Sequence, residues 1–341
     1  MRLSDFDFDL PEDRIAQFPL PERSASRMMV IDRRAGGVRH SEARKLPEEL
    51  LPQDLLVIND SRVFPARLRG EGAGGRAVEA LFVRPVGNGE WLVLLRPSRR
   101  VLAGAVLRFP SAGLEGEAVR PAGEGEWVVR FPRGEAGEEA LDRAGEVPLP
   151  PYIRRDPVEE DRERYQTVFA RESGSIAAPT AGLHFTDDLL RELASKGVGV
   201  ARVTLHVGPG TFRPIRGERI EEHRVEPEFY RIPVETASAI RKTREGGGRV
   251  VAVGTTVVRT LEGAAAGGAV RAGSGWTDLF IRPPYEPKVV GALLTNFHLP
   301  RSTLFVLVAA FAGLDRIREA YRVAVECGYR FYSYGDCTLI V

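Results

Sequence analysis

The sequence predicts an α/β main domain built from two separated stretches, residues 1–63 and 151–341, with a small all-β, barrel-like domain, residues 64–150, inserted between them. Two observations carry that prediction. The outer stretches alternate β-branched runs with segments of helical periodicity, the pattern of a sheet covered by helices. The middle stretch spaces short apolar runs between frequent glycines and holds neither histidine nor cysteine, which reads as strands and tight turns.

Taken in order, Leu55-Leu56-Val57-Ile58 reads as a strand that delivers Asn59-Asp60-Ser61-Arg62. In the insert, residues 77–83, 91–95 and 127–131 read as strands. Residues 70–75 are glycine-rich, yet no helix follows them, so a hairpin turn is the reading and not a dinucleotide loop. Pro148-Leu149-Pro150-Pro151 stiffens the exit from the insert. Beyond it, residues 187–196 carry Leu189, Leu190 and Leu193 at helical spacing, with Thr186 as N-cap and Gly197 as terminator. In the next strand Leu205 and Val207 share one face and leave Thr204 and His206 on the other. Val250-Val251-Ala252-Val253, Gly254 and residues 255–262 form a strand, a tight turn and a capped helix.

Composition excludes several classes. The 341 residues include 48 Lys and Arg against 47 Asp and Glu, so any nucleic-acid site is a local patch and not a global field. All but four of the cations are arginine, whose fork suits phosphate and carboxylate. With 28% charged and 43% hydrophobic residues the chain is not disordered. Cys327 and Cys337 are too few for a disulfide framework or a four-cysteine zinc site. Residues 304–314, the longest apolar stretch, are about half of a membrane span, and the acidic residues 5–9 do not make a signal peptide. The expectation is a cytoplasmic monomer with no membrane, metal or cofactor. Signatures of P-loops, zincins, C-x-x-C sites and nucleophile elbows are all missing from the sequence.

Five polar clusters sit at the ends of apolar runs. Asn59-Asp60-Ser61-Arg62 is either a turn or a polar site. Residues 175–186, with His184, are dominated by small side chains that let a backbone approach a ligand. His206-Val207-Gly208-Pro209-Gly210-Thr211 lies where open α/β sheets bind ligands. Gly254-Thr255-Thr256 opens a helix that either holds an anion or is merely capped. On that helix Arg259 and Glu262 read as a solvated ion pair. Asn296 and His298 stand at i and i+2 among apolar residues, with Pro300 barring a helix.

These residues, together with Asn59-Asp60-Ser61-Arg62-Val63-Phe64-Pro65, Pro148-Leu149-Pro150-Pro151-Tyr152-Ile153 and Tyr329-Arg330-Phe331-Tyr332-Ser333-Tyr334-Gly335-Asp336, resemble the S-adenosylmethionine:tRNA ribosyltransferase-isomerase family of queuosine biosynthesis. One departure stands out. Where the family reads H-x-M-H-x-E, this chain reads His223-Arg224-Val225-Glu226-Pro227-Glu228, so the second histidine is absent unless Glu226 takes its place.

The resemblance implies two substrates, S-adenosylmethionine and a tRNA carrying 7-aminomethyl-7-deazaguanine at the wobble position. Transfer and isomerisation of the ribosyl moiety give epoxyqueuosine-tRNA, releasing adenine and methionine. Such chemistry needs a base for a carbon acid, a proton for adenine, and charge compensation for the sulfonium. His184 and His206 are the leading proton-transfer candidates. Asp60 or Asp336 is expected to hold a ribose hydroxyl or balance the sulfonium. Thr255, Thr256 and Arg259 are expected at the methionine carboxylate, with Gly208, Gly210 and Thr211 in the adjoining loop. Asn296 and His298 are expected at a base edge, and Arg62, Arg213 and Arg216 at phosphates. Two other classes are an S-adenosylmethionine-dependent RNA methyltransferase, whose glycine-rich loop is lacking, and a noncatalytic RNA-binding protein, which the near-neutral charge disfavours.

Overall fold

The computed structural model describes residues 1–131, 138–212 and 214–341. Its main body is a nine-stranded sheet. The strand order is Gly273–Thr277, Glu228–Ile232, Gly199–Leu205, Leu55–Asn59, Val250–Val253, Ala292–Asn296, Cys337–Ile340, Arg27–Ile31 and Val38–Glu42. The strands from Gly199–Leu205 to Ala292–Asn296 run parallel, whereas Cys337–Ile340 lies antiparallel to its neighbour Ala292–Asn296.

The central strands are apolar throughout because both faces are covered. Leu55 and Val57 join the core under helices Thr303–Ala312, Leu314–Glu326 and Thr255–Gly263, while Leu56 and Ile58 face the layer of Leu189, Leu193 and Phe185. The helix Asp187–Ser195 forms as its sequence suggests. Thr186 Oγ1 accepts the Leu189 N–H at 3.1 Å, and Gly197 follows the last turn with φ +86°.

The insert is a closed antiparallel barrel whose strands run from Arg67–Gly72 to Glu126–Arg130, all inside residues 64–150. Phe82, Phe109, Phe131, Trp91 and Val93 fill its interior. Gly116 is required there, since a Cβ would stand 2.6 Å from the Phe131 ring. Residues 70–75 do form the hairpin, joining Arg67–Gly72 to Arg76–Gly87. The proline-rich exit is buried, with Val147 and Leu149 packed against Tyr165 and Tyr334. A short parallel pairing of Glu172–Ser175 with Ser61–Val63 ties the return of the chain to its departure into the barrel.

Candidate active site at the strand ends

A run of parallel strands puts all its carboxyl ends on one edge, so Asn59, His206, Gly254 and Asn296 are brought together by topology although they are far apart in sequence. Asn59 is the tie between two of those ends. Its Oδ1 accepts from Ser61 N–H (3.1 Å) and Leu205 N–H (3.0 Å), and its Nδ2 donates to the Leu205 carbonyl. Gly254 makes the turn with φ +92°, a conformation that admits glycine readily, and starts the helix Thr255–Gly263.

Thr211, Thr255, Thr256, Thr295, Asn296 and His298 line a narrow cleft along this edge, with Ala177, Ala178 and Pro179, Tyr152 from the segment after the insert, and Tyr332 and Ser333 from the last loop. Tyr332 is strained. Its φ is +72°, rare for an aromatic residue, and it is held by its own N–H to Phe297 O and by Asn296 Nδ2 to its carbonyl, both at 3.0 Å. His298 Nε2 pairs with Thr295 Oγ1 at 3.0 Å, and burial pushes its imidazole down to about 3.

Val207 also borders a second, wider crevice between the sheet and the barrel, lined by His206, Gly208, Gly210, Phe229, Trp276, Arg84 and Trp91. The His206 ring stacks on Phe229 at 5.8 Å and 14°, and Phe229 meets the half-exposed Trp276 edge-on. Gly174, with φ +138°, leaves room for that imidazole, since a Cβ there would meet the ring at 2.8 Å. Burial lowers the His206 proton affinity, while the carboxylates of Glu172 and Asp60 oppose the shift. Asp60 itself accepts from Thr204 Oγ1 at 2.7 Å, and burial raises its pKa. Glu226 packs on Gly210, where a Cβ would come within 2.8 Å of its carboxylate.

Several expected ligand contacts have other partners. Arg259 is buried, and its guanidinium is spent on an ion pair with Glu228 and on the carbonyls of Leu279 and Thr277. Glu228 in turn accepts from Gly208 N–H (3.0 Å) and Thr211 Oγ1 (2.9 Å), so the pair braces the 208–211 loop from beneath. The solvated pair expected with Glu262 does not form. Glu262 is buried and accepts from Tyr285 and from the N–H groups of Lys288, Val289 and Val290. Asp336 is likewise taken up, by the N–H groups of Arg27 (2.9 Å) and Arg330 (2.8 Å), and burial raises its pKa. Arg216 forks onto Glu124 of the barrel, Arg62 is exposed beside the crossing pair of strands, and Arg213 lies outside the described residues.

His184 is also displaced from its expected setting. It is 3% exposed and does not line the cleft; its Nε2 accepts from Asn296 Nδ2 at 3.2 Å. Burial first, and then the charges of Arg23 and Arg330, push its imidazole down to about 4. Among the described residues no three His, Cys, Asp or Glu are grouped so as to hold a metal ion, and no helix is long and apolar enough to cross a membrane.

A family model described as queuosine biosynthesis protein matches residues 3–340. The S-adenosylmethionine:tRNA ribosyltransferase-isomerase of Anaeromyxobacter sp. strain Fw109-5 is 54% identical, the match covering 100% of this chain and 99% of that one. The chain belongs to this ribosyltransferase-isomerase family. A member from Moorella thermoacetica is 51% identical with both chains fully covered. The crystal structure of S-adenosylmethionine tRNA ribosyltransferase from Thermotoga maritima has 40% identity and a TM-score of 0.58, covering 99% of this chain and 100% of that one.

As a ribosyltransferase-isomerase, the chain is an enzyme, and cleft and crevice are its candidate site. Sequence reasoning missed Tyr152, Tyr332, Glu228, Phe229 and Trp276. The strings around Tyr152 and Tyr332 resemble the family's, but only the backbone reveals the strain at Tyr332. Nothing in a single sequence announces that Glu228 faces Arg259.

Proposed function

We propose that this enzyme moves the ribosyl part of S-adenosylmethionine onto 7-aminomethyl-7-deazaguanine at the tRNA wobble position and isomerises it to an epoxycyclopentanediol, with adenine and methionine leaving. The observation that carries the reading is the meeting of two unlike cavities at Val207. The narrow cleft suits a small nucleoside. The wider crevice, with its half-exposed Trp276 and Arg84, suits a base drawn out of a larger nucleic acid and stacked on an aromatic shelf.

In this reading Thr255 and Thr256, at the start of a nine-residue helix, hold the methionine carboxylate. His206, half-buried in the crevice with Asp60 and Glu172 behind it, takes the proton from the ribose carbon beside sulfur. The electron pair left on that carbon drives the later ring changes, and adenine leaves with a proton returned to it. Arg62 is a phosphate contact. S-adenosylmethionine is a substrate here and no cofactor is invoked; the enzyme acts as a monomer in the cytoplasm, beside its tRNA.

The test is mass spectrometry of an anticodon stem-loop carrying 7-aminomethyl-7-deazaguanine after incubation with enzyme and S-adenosylmethionine. A ribosyl-derived ring on the base, with free adenine and methionine, is expected. A methyl group would instead indicate a methyltransferase, and S-adenosylmethionine left unconsumed would indicate an RNA-binding protein.

A further inference from the structure

Asn296 is 2% exposed and lines the narrow cleft, yet its two side-chain ends are treated very differently. Its Nδ2 has three acceptors: the Tyr332 carbonyl at 3.0 Å, the Ser333 carbonyl at 3.5 Å and His184 Nε2 at 3.2 Å. Its Oδ1 is buried and has no partner. The two carbonyls fix which end is nitrogen, because a flipped amide would set oxygen against oxygen. A buried amide oxygen without a donor costs about 1–3 kcal/mol, and one on a residue that lines a cleft regains it from a ligand that donates a hydrogen bond.

We propose that Asn296 Oδ1 is the acceptor that reads the exocyclic amine of the adenine in S-adenosylmethionine, and that His184 is the positioning residue that holds the amide in that orientation. The inference rests on reading the cleft as the S-adenosylmethionine site. The cleft that Asn296 lines also presents Tyr152 and Tyr332, packed edge to face, with Ala178 and Pro179, aromatic and apolar surface that suits a planar base. The hydroxyls of Thr255 and Thr256, at the helix start, remain for the polar end of the ligand. His184 fulfils its part only as a neutral ring with Nε2 unprotonated. Its burial keeps it so, and a protonated ring would donate toward Asn296 and turn the amide away.

The test compares two competitive inhibitors of the modification reaction, S-adenosylhomocysteine and S-inosylhomocysteine, which differ in an amine against an oxo group at one ring position. The wild type is expected to bind the amine form at least about tenfold more tightly, the loss of one buried hydrogen bond. Asn296→Ala brings the two inhibition constants within about threefold. His184→Leu also shrinks the ratio, whereas His184→Gln, which keeps an acceptor toward Nδ2, restores it. Equal inhibition constants in the wild type overturn the proposal without any variant, and so does a ratio that survives Asn296→Ala. A 2′- or 3′-deoxy form of S-adenosylhomocysteine that reproduces the effect of Asn296→Ala reassigns Oδ1 to a ribose hydroxyl and overturns it too. If the wild type does not consume S-adenosylmethionine on the modified stem-loop at all, the functional reading itself has failed.

Discussion

Burial of His184 makes a prediction about stability that can be worked through. Its imidazole is neutral in the folded protein down to about 4, against 6.5 for the free ring. The unfolded chain therefore takes up the proton first as pH falls. The stabilisation is fully present above 6.5 and is lost progressively toward 4. At 1.36 kcal/mol per pH unit the whole effect is about 3 kcal/mol, of which about 2 kcal/mol is lost by pH 5. Asp60 and Asp336, whose pKa values burial raises, work in the opposite direction at low pH. They are common to wild type and variant, so a difference isolates the histidine. His184→Gln cannot titrate but keeps an acceptor for Asn296. Urea unfolding followed by circular dichroism at pH 7 and pH 5 is expected to show the wild type losing about 2 kcal/mol more than this variant over the interval. Identical losses, or a His184 ring-proton resonance titrating near its free value, would refute the burial argument.

The remaining predictions concern the loop brace and the crevice. Arg259→Ala leaves Glu228 buried without its counter-charge and is expected to cost about 3–5 kcal/mol in urea unfolding; a loss under about 1 kcal/mol would remove the pair from its bracing role. Gly174→Ala forces a Cβ against the His206 ring at a backbone angle that disfavours side chains. It is expected to lose about 1–3 kcal/mol of stability and to depress turnover, and an unchanged enzyme would show that the ring is not confined. His206→Ala is expected to lower turnover by about 10²–10⁴ with an unfolding midpoint near that of the wild type; turnover within about threefold of wild type takes His206 out of the chemistry.

What could be read from the sequence was what depends on local period and turn chemistry. Leu55 to Ile58 reads as a strand, Gly254 as a turn and Thr186 as a cap, and the same apolar runs place Asn59, His206 and Asn296 at element ends, as the structure has them. What could not be read was long-range pairing. Arg259 and Glu262 are three residues apart on one helix and invite each other. The fold instead gives Arg259 to a carboxylate 31 positions earlier and surrounds Glu262 with backbone N–H groups. Asp336 was chosen for its charge, yet both of its oxygens serve the backbone. His184 was chosen for its titration near neutrality, which is the property that burial removes. Residue type suggests what a side chain is able to do, and its neighbours in space decide whether it does.

The place of strand Cys337–Ile340 has a consequence for how the chain folds. The hairpin of Arg27–Ile31 and Val38–Glu42 reaches the rest of the sheet through that strand, which pairs Met28 with Cys337 and Leu293 with Ile340. Until residues more than 300 positions downstream arrive, Met28 and Val30 have no layer of Leu339 and Cys337 to lie beside. Joining partners so far apart in sequence carries a loop-closure cost that the local pairing of the hairpin does not. Tyr332 and Ser333, which anchor the Asn296 amide, sit immediately before the same closing strand. The strand that joins the two parts of the sheet therefore also anchors the loop that completes the cleft, so loosening its pairing loosens both.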